Sequence, residues 1–115
     1  MKLIEIAKFT NNVAGMSAFY RRLLGTDPVA ESPDMAIFMN AGVKIFIHKM
    51  CEAGEGDLPP EDHIAFAVAD VDGTLAELQA GGSKAEVAPK DYYWGRSAYL
   101  RDPDGQLLEI TQESK

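Results

Sequence analysis

Apolar and polar positions alternate from residue 2 to residue 9, with Ile4 and Ile6 on one face and Leu3, Glu5 and Ala7 on the other. That period of two marks a strand. The period then lengthens: Val13, Met16, Tyr20, Leu23 and Leu24 recur at helical spacing, Asn11 or Asn12 supplies an N-cap, and Gly25 suits a left-handed C-cap. Beyond it, Met35 to Asn40 and Val43 to His48 flank Ala41-Gly42 as the strands of a hairpin do, and Pro28 to Glu31 reads as an edge strand.

The same order begins again at His63. Ile64, Phe66 and Val68 face one way and His63, Ala65 and Ala67 the other in a strand from His63 to Ala69. Asp70 or Asp72 then caps a helix whose stripe is Val71, Leu75 and Leu78, and Gly81-Gly82 ends it. Lys84 to Ala88, Ser97 to Arg101 and Leu107 to Thr111 read as strands, the last two joined by a turn at Asp102-Pro103-Asp104-Gly105. Setting Glu5 on His63 also sets Asn12 on Asp70 and Val13 on Val71, so the chain repeats internally. The expected fold is α+β: two βαβββ modules forming a curved, mixed, mainly antiparallel sheet around a cleft, helices outside. One domain over residues 1–115 holds module one to about residue 50, a connector over about 51–61, and module two over about 62–113. The helix-facing side is apolar in both copies, and the other side carries Glu5, His63 and Glu109.

Composition narrows the partners. The 115 residues are 46% hydrophobic and 25% charged, with a net charge of −7 that opposes a phosphate backbone, so nucleic acid is not an expected partner. The longest apolar run, Ile64 to Ala69, is far below the ~18 residues of a membrane span, and no charged-then-apolar leader opens the chain. A soluble, cytoplasmic protein is expected, and the single Cys51 fits a reducing compartment. Glu52, Glu55, Asp57, Glu61 and Asp62 crowd around Pro59 and Pro60, which reads as a solvated connector.

Three stretches carry a family likeness. Phe19-Tyr20-Arg21-Arg22-Leu23-Leu24-Gly25, His63-Ile64-Ala65-Phe66-Ala67-Val68-Ala69-Asp70 and Asp102-Pro103-Asp104-Gly105-Gln106-Leu107-Leu108-Glu109-Ile110 resemble, in turn, the first helix, the second-module first strand and the final hairpin of the vicinal oxygen chelate superfamily. This is the fold of glyoxalases, bleomycin-resistance proteins and extradiol dioxygenases. The resemblance implies metal ligands on the first strand of each module and the last strand of the second, here Glu5, His63 and Glu109, with Glu5 departing from the more usual His. A fourth ligand, as in glyoxalase I and methylmalonyl-CoA epimerase, falls on Phe46 when Gly42 is matched to Gly105; a two-residue shift places His48 there instead. The resemblance also implies a homodimer whose clefts are built from two chains, which agrees with the open edges of a lone sheet.

Two carboxylates converging with an imidazole repel unless a proton or a cation intervenes, and the donor set suits Zn²⁺, Ni²⁺, Mn²⁺ or Fe²⁺ with positions left for substrate. The competing reading pairs Glu5 with a neighbouring Arg or Lys and leaves His63 an ordinary half-buried histidine. His48 shares a face with Lys44 and Phe46 and is either a general base, alongside Glu5, or an exposed strand-end histidine. Phe46, Tyr92, Tyr93, Trp94, Tyr99 and Arg101 are the candidate substrate contacts; the Tyr92–Trp94 loop either folds over a cavity mouth or seals a subunit interface. Two functions compete. One is a metal-dependent lyase, isomerase or dioxygenase acting on a small substrate with chelating oxygens, and distinct from an ordinary glyoxalase I. The other is a metal-free protein that sequesters a small ligand, as bleomycin-resistance proteins do.

Overall fold

A computed structural model describes residues 1–51 and 60–113, so the acidic connector lies almost wholly outside the described residues. The chain divides into two compact units, one of residues Glu5–Asp62 and the other of Met1–Ile4 with His63–Lys115. Each is a strand–helix–three-strand module, as the repeated pattern predicts.

The first unit holds β1 (Lys2–Thr10, from Glu5 onward), α1 (Val13–Leu24), β2 (Ala30–Ser32), β3 (Met35–Asn40) and β4 (Val43–Lys49). Its sheet runs in the order β2-β3-β4-β1, with β1 parallel to β4 and the other pairs antiparallel. Asn12 caps α1 by accepting from the Gly15 N–H at 3.0 Å, and Gly25 closes it at φ 68° while donating its own N–H to the Arg21 carbonyl. The hairpin turn takes positive φ at both Ala41 and Gly42 (52° and 83°), the twist-matched geometry of a two-residue loop. Val13, Met16, Tyr20 and Leu24 pack on Ala36, Phe38, Ile45 and Ile47. Leu23 departs from the expected stripe and is 63% exposed, because Ser17 takes the buried position that completes it. The Ser17 hydroxyl donates to Glu31 at 2.7 Å, so the edge strand β2 is tied to the helix by a polar bond, reinforced by Arg21 at 3.0 Å. Those two donors, the hydroxyl first, hold the Glu31 carboxyl below its ordinary range.

The second unit holds β5 (His63–Ala67), α2 (Val71–Ala80), β6 (Ala85–Tyr92), β7 (Gly95–Arg101) and β8 (Leu107–Glu113) in the order β5-β8-β7-β6, with β5 parallel to β8. Asp70 caps α2 by accepting from Gly73 at 3.1 Å. The two caps are the same construction: Gly15 and Gly73 both stand three residues after the capping side chain, where a Cβ would collide with it. Val71 and Leu75 meet Ala98, Leu100 and Ile110, with Leu78 alongside. β6 continues to Tyr92, past the expected end at Ala88. Pro89 reads as a breaker but is tolerated because β6 is an edge strand, and the register with β7 slips on either side of Val87.

Candidate functional site

Pairing in the second unit decides which side chains share a face. His63 pairs with Leu107, Ala65 with Glu109 and Ala67 with Thr111 across the parallel β5–β8 ladder; Glu109 then pairs with Tyr99 and Thr111 with Ser97 across β8–β7. Since Ala98, Leu100 and Ile110 point at α2, the alternating positions His63, Glu109, Tyr99, Ser97 and Thr111 all lie on the opposite face.

On that face His63 Nε2 lies 3.6 Å from Glu109 Oε1, and the two side chains keep only 8% and 6% of their exposure. The edge of the Tyr99 ring abuts the imidazole, centroids 5.7 Å apart at 84°. The other carboxylate oxygen is taken: Ser97 Oγ donates to Glu109 Oε2 at 2.9 Å. Ser97 also bonds Thr111 Oγ1 at 2.7 Å and accepts from the Trp94 indole N–H at 2.9 Å. Sequence reasoning missed Ser97 and Thr111. Their signal was the strand alternation itself, which puts Ser97 two residues from Tyr99 and Thr111 two residues from Glu109.

The aromatic segment is the tip of the β6–β7 hairpin and not a free loop. Tyr93 and Trp94 make the turn, and Gly95 follows at φ 142°, which favours glycine. Tyr92 stacks on Trp94 with centroids 4.4 Å apart and planes 4° from parallel, while Tyr93 is 93% exposed. The Tyr92 hydroxyl is buried with no hydrogen-bond partner among the described residues; burial first, and the Glu109 charge second, push its pKa up. Arg101 shares the face of His63 two strands away, and its guanidinium bonds the Gly105 carbonyl at 2.9 Å and Glu86 at 3.3 Å.

In the first unit Glu5 pairs in register with Lys44, Ala7 with Phe46 and Phe9 with His48. Lys44 Nζ stands 3.6 Å from Glu5 Oε1, so the basic neighbour that the competing reading assigns to Glu5 is present. The register also shows which residue matches Glu109. Ala7 faces Phe46 as Ala65 faces Glu109, so Phe46 occupies the matched position and the two-residue shift that would put His48 there does not occur. His48 matches Thr111 instead. Its ring lies between Phe9 and Phe46 at 5.2 and 5.6 Å, and its Nδ1 donates to the Lys49 carbonyl at 2.6 Å, which leaves Nε2 the basic nitrogen.

A family model of the Glyoxalase/Bleomycin resistance protein/Dioxygenase superfamily matches residues 2–110. The chain belongs to this superfamily. Its fold is that of solved superfamily structures. Methylmalonyl-CoA epimerase from Mycobacterium tuberculosis is 17% identical with a TM-score of 0.72, covering 99% of this chain and 89% of that one. A Vibrio splendidus superfamily member is 17% identical at 0.65, covering 98% of each chain. A structure titled as an NAD-dependent benzaldehyde dehydrogenase from Legionella pneumophila is 24% identical at 0.71, covering 96% of this chain and 98% of that one. Identities this low bear on fold alone. No curated protein matches the sequence. No helix among the described residues is long and apolar enough to cross a membrane.

Proposed function

We propose that this superfamily member is a divalent-metal-dependent enzyme of the lyase, isomerase or dioxygenase kind, acting on a small substrate with adjacent oxygens, with Glu5, His63 and Glu109 as the protein ligands. The observation that carries the reading is the His63–Glu109 pair. Zinc bonds of about 2.0–2.2 Å put two neighbouring ligand atoms roughly 3.0–3.5 Å apart, and the 3.6 Å separation of Nε2 and Oε1 is close to that. It is also too long for a good hydrogen bond. A buried carboxylate needs a compensating positive charge, and a cation shared with the imidazole supplies one. Glu5, the counterpart of His63 on the first strand of the other module, is the second carboxylate of the proposed set. Carboxylates and imidazole suit Zn²⁺, Ni²⁺, Mn²⁺ or Fe²⁺.

When bound, the ion polarises substrate oxygens as a Lewis acid. The chain's own residues do the rest. Tyr99 abuts the His63 imidazole, and the stacked Tyr92–Trp94 pair offers an aromatic wall to a planar group. Glu5 and His48 Nε2 are the candidate proton acceptors. Phe46 removes the first-module carboxylate that a glyoxalase I uses as its base, so chemistry that mainly polarises oxygens is favoured over proton shuttling between adjacent carbons. Homodimer assembly and a cytoplasmic location belong to the same proposal, and sedimentation at micromolar concentration tests the first.

Elemental analysis of protein purified without chelators tests the metal reading. Near-stoichiometric transition metal in the parent and its loss in His63→Ala are expected. Metal absent from the parent, or retained in the variant, overturns the reading in favour of a metal-free ligand-sequestering protein.

A further inference from the structure

The Ser97 hydroxyl has one proton and three polar neighbours. The Trp94 indole only donates and an ionised Glu109 only accepts, so Ser97 receives from Trp94 and gives its proton to the charged Glu109 Oε2 in preference to the neutral Thr111 hydroxyl; Thr111, whose other acceptor is the Arg96 carbonyl at a long 3.5 Å, gives its own proton to Ser97. Every donor in this chain is used once. The terminal torsion of a glutamate is broad and two-fold, so the carboxylate by itself has no fixed plane. With Oε2 held, Oε1 is the atom facing His63. Ser97 is wholly buried on β7 and Trp94 is pinned by its stack on Tyr92, so neither is free to turn away.

We propose that Ser97 is a positioning residue for Glu109, and that it couples the carboxylate's orientation to the Trp94 indole at the hairpin tip. The inference rests on the metal reading above and adds to it which residue orients the ligand and how that orientation is seen from outside. Removing a group of this kind costs about 10–100-fold in metal affinity. Trp94 is the single tryptophan of the chain, so its emission reports on this one indole and its surroundings.

The test is zinc titration of the apo protein by calorimetry and by tryptophan emission, zinc being spectroscopically silent. In the parent, saturation should shift Trp94 emission as charge at Glu109 is neutralised. Ser97→Ala should bind zinc at least about tenfold more weakly and lose the shift. Thr111→Val removes a hydroxyl that bonds Ser97 and, among the described residues, has no hydrogen bond to Glu109. It should destabilise the fold comparably while costing roughly threefold or less in affinity, a split that a merely structural role would not produce. Equal affinity in Ser97→Ala and parent, or equal losses in Ser97→Ala and Thr111→Val, overturns the positioning role and leaves the metal reading standing. A parent that binds no zinc, nickel, manganese or iron overturns both. If circular dichroism shows Ser97→Ala unfolded, Trp94→Phe decides: it keeps a smaller aromatic ring against Tyr92 and removes the indole N–H that bonds Ser97. Weakened zinc binding in that variant supports the coupling, and parental affinity refutes it.

Discussion

Ala7 faces Phe46 in the first module at the strand position where Ala65 faces Glu109 in the second, and Glu5 faces Lys44 where His63 faces Leu107. The backbones correspond residue for residue through this stretch. The chemistry does not. In the second module a carboxylate is buried, bonded on one oxygen by Ser97 and turned towards an imidazole. In the first, the matched place is a phenylalanine, the counterpart of Ser97's partner Thr111 is His48, and Glu5 stands 3.6 Å from a lysine that is 42% exposed. A repeated fold thus keeps its helix-facing core in both copies, because each helix must bury a stripe, while the opposite face is free to diverge.

The shared core is where the comparison predicts sameness. Phe38→Ala in the first unit and Ile110→Ala in the second should each cost about 2–5 kcal/mol in denaturant unfolding, since both side chains are almost completely buried. A loss below 1 kcal/mol at either would show that module's core to be loosely packed.

At the divergent position, Phe46→Glu restores to the first module the carboxylate that the second has. Under the metal reading it should tighten zinc binding by about tenfold, or roughly 1.4 kcal/mol, measured by calorimetry in a folded variant. Unchanged affinity would mean that the matched positions do not serve one ion.

The helix caps test the repeat itself. Asn12→Ala and Asp70→Ala each delete a side-chain acceptor for the third helical N–H, and each should cost about 1 kcal/mol. Costs differing by more than that amount would show that the two caps are alike in geometry alone.

The smallest effect is the pH dependence that Glu31 carries in the first module. Glu31 is held below its ordinary range by Ser17 and Arg21, so its pairing stabilises the fold above about pH 4.3, and this is lost as pH falls through the lowered folded value. Ser17→Ala should bring the Glu31 carboxyl back up and shift that loss to higher pH, read by NMR titration. An unmoved titration would assign the shift to Arg21 alone.

Much of the fold was legible because its signals are local. Period-two stretches, capping Asn12 and Asp70, Gly25 after α1 and the Asp102–Gly105 turn each act within a few residues, and the match of Glu5 to His63 joined them into a repeat. The misses are non-local. Leu23 fits the helical spacing, yet the buried stripe passes through Ser17, whose hydroxyl has a distant acceptor in Glu31. The strand read as ending at Ala88 runs on through Pro89 to Tyr92, because an edge position needs no N–H on that side.

For the site, the sequence by itself determined that His63 and Glu109 sit on the face opposite the helices, since alternation permits nothing else. Only the tertiary structure decided three further points. It put Nε2 and Oε1 within 3.6 Å of each other, it made Phe46 and not His48 the counterpart of Glu109, and it enlisted Ser97, Thr111 and Trp94 to hold the carboxylate. The physical reason is register. A strand's own sequence states which side each residue faces, but a neighbour two residues further along faces the same side, so only the pairing of one strand with the next tells which of them meet.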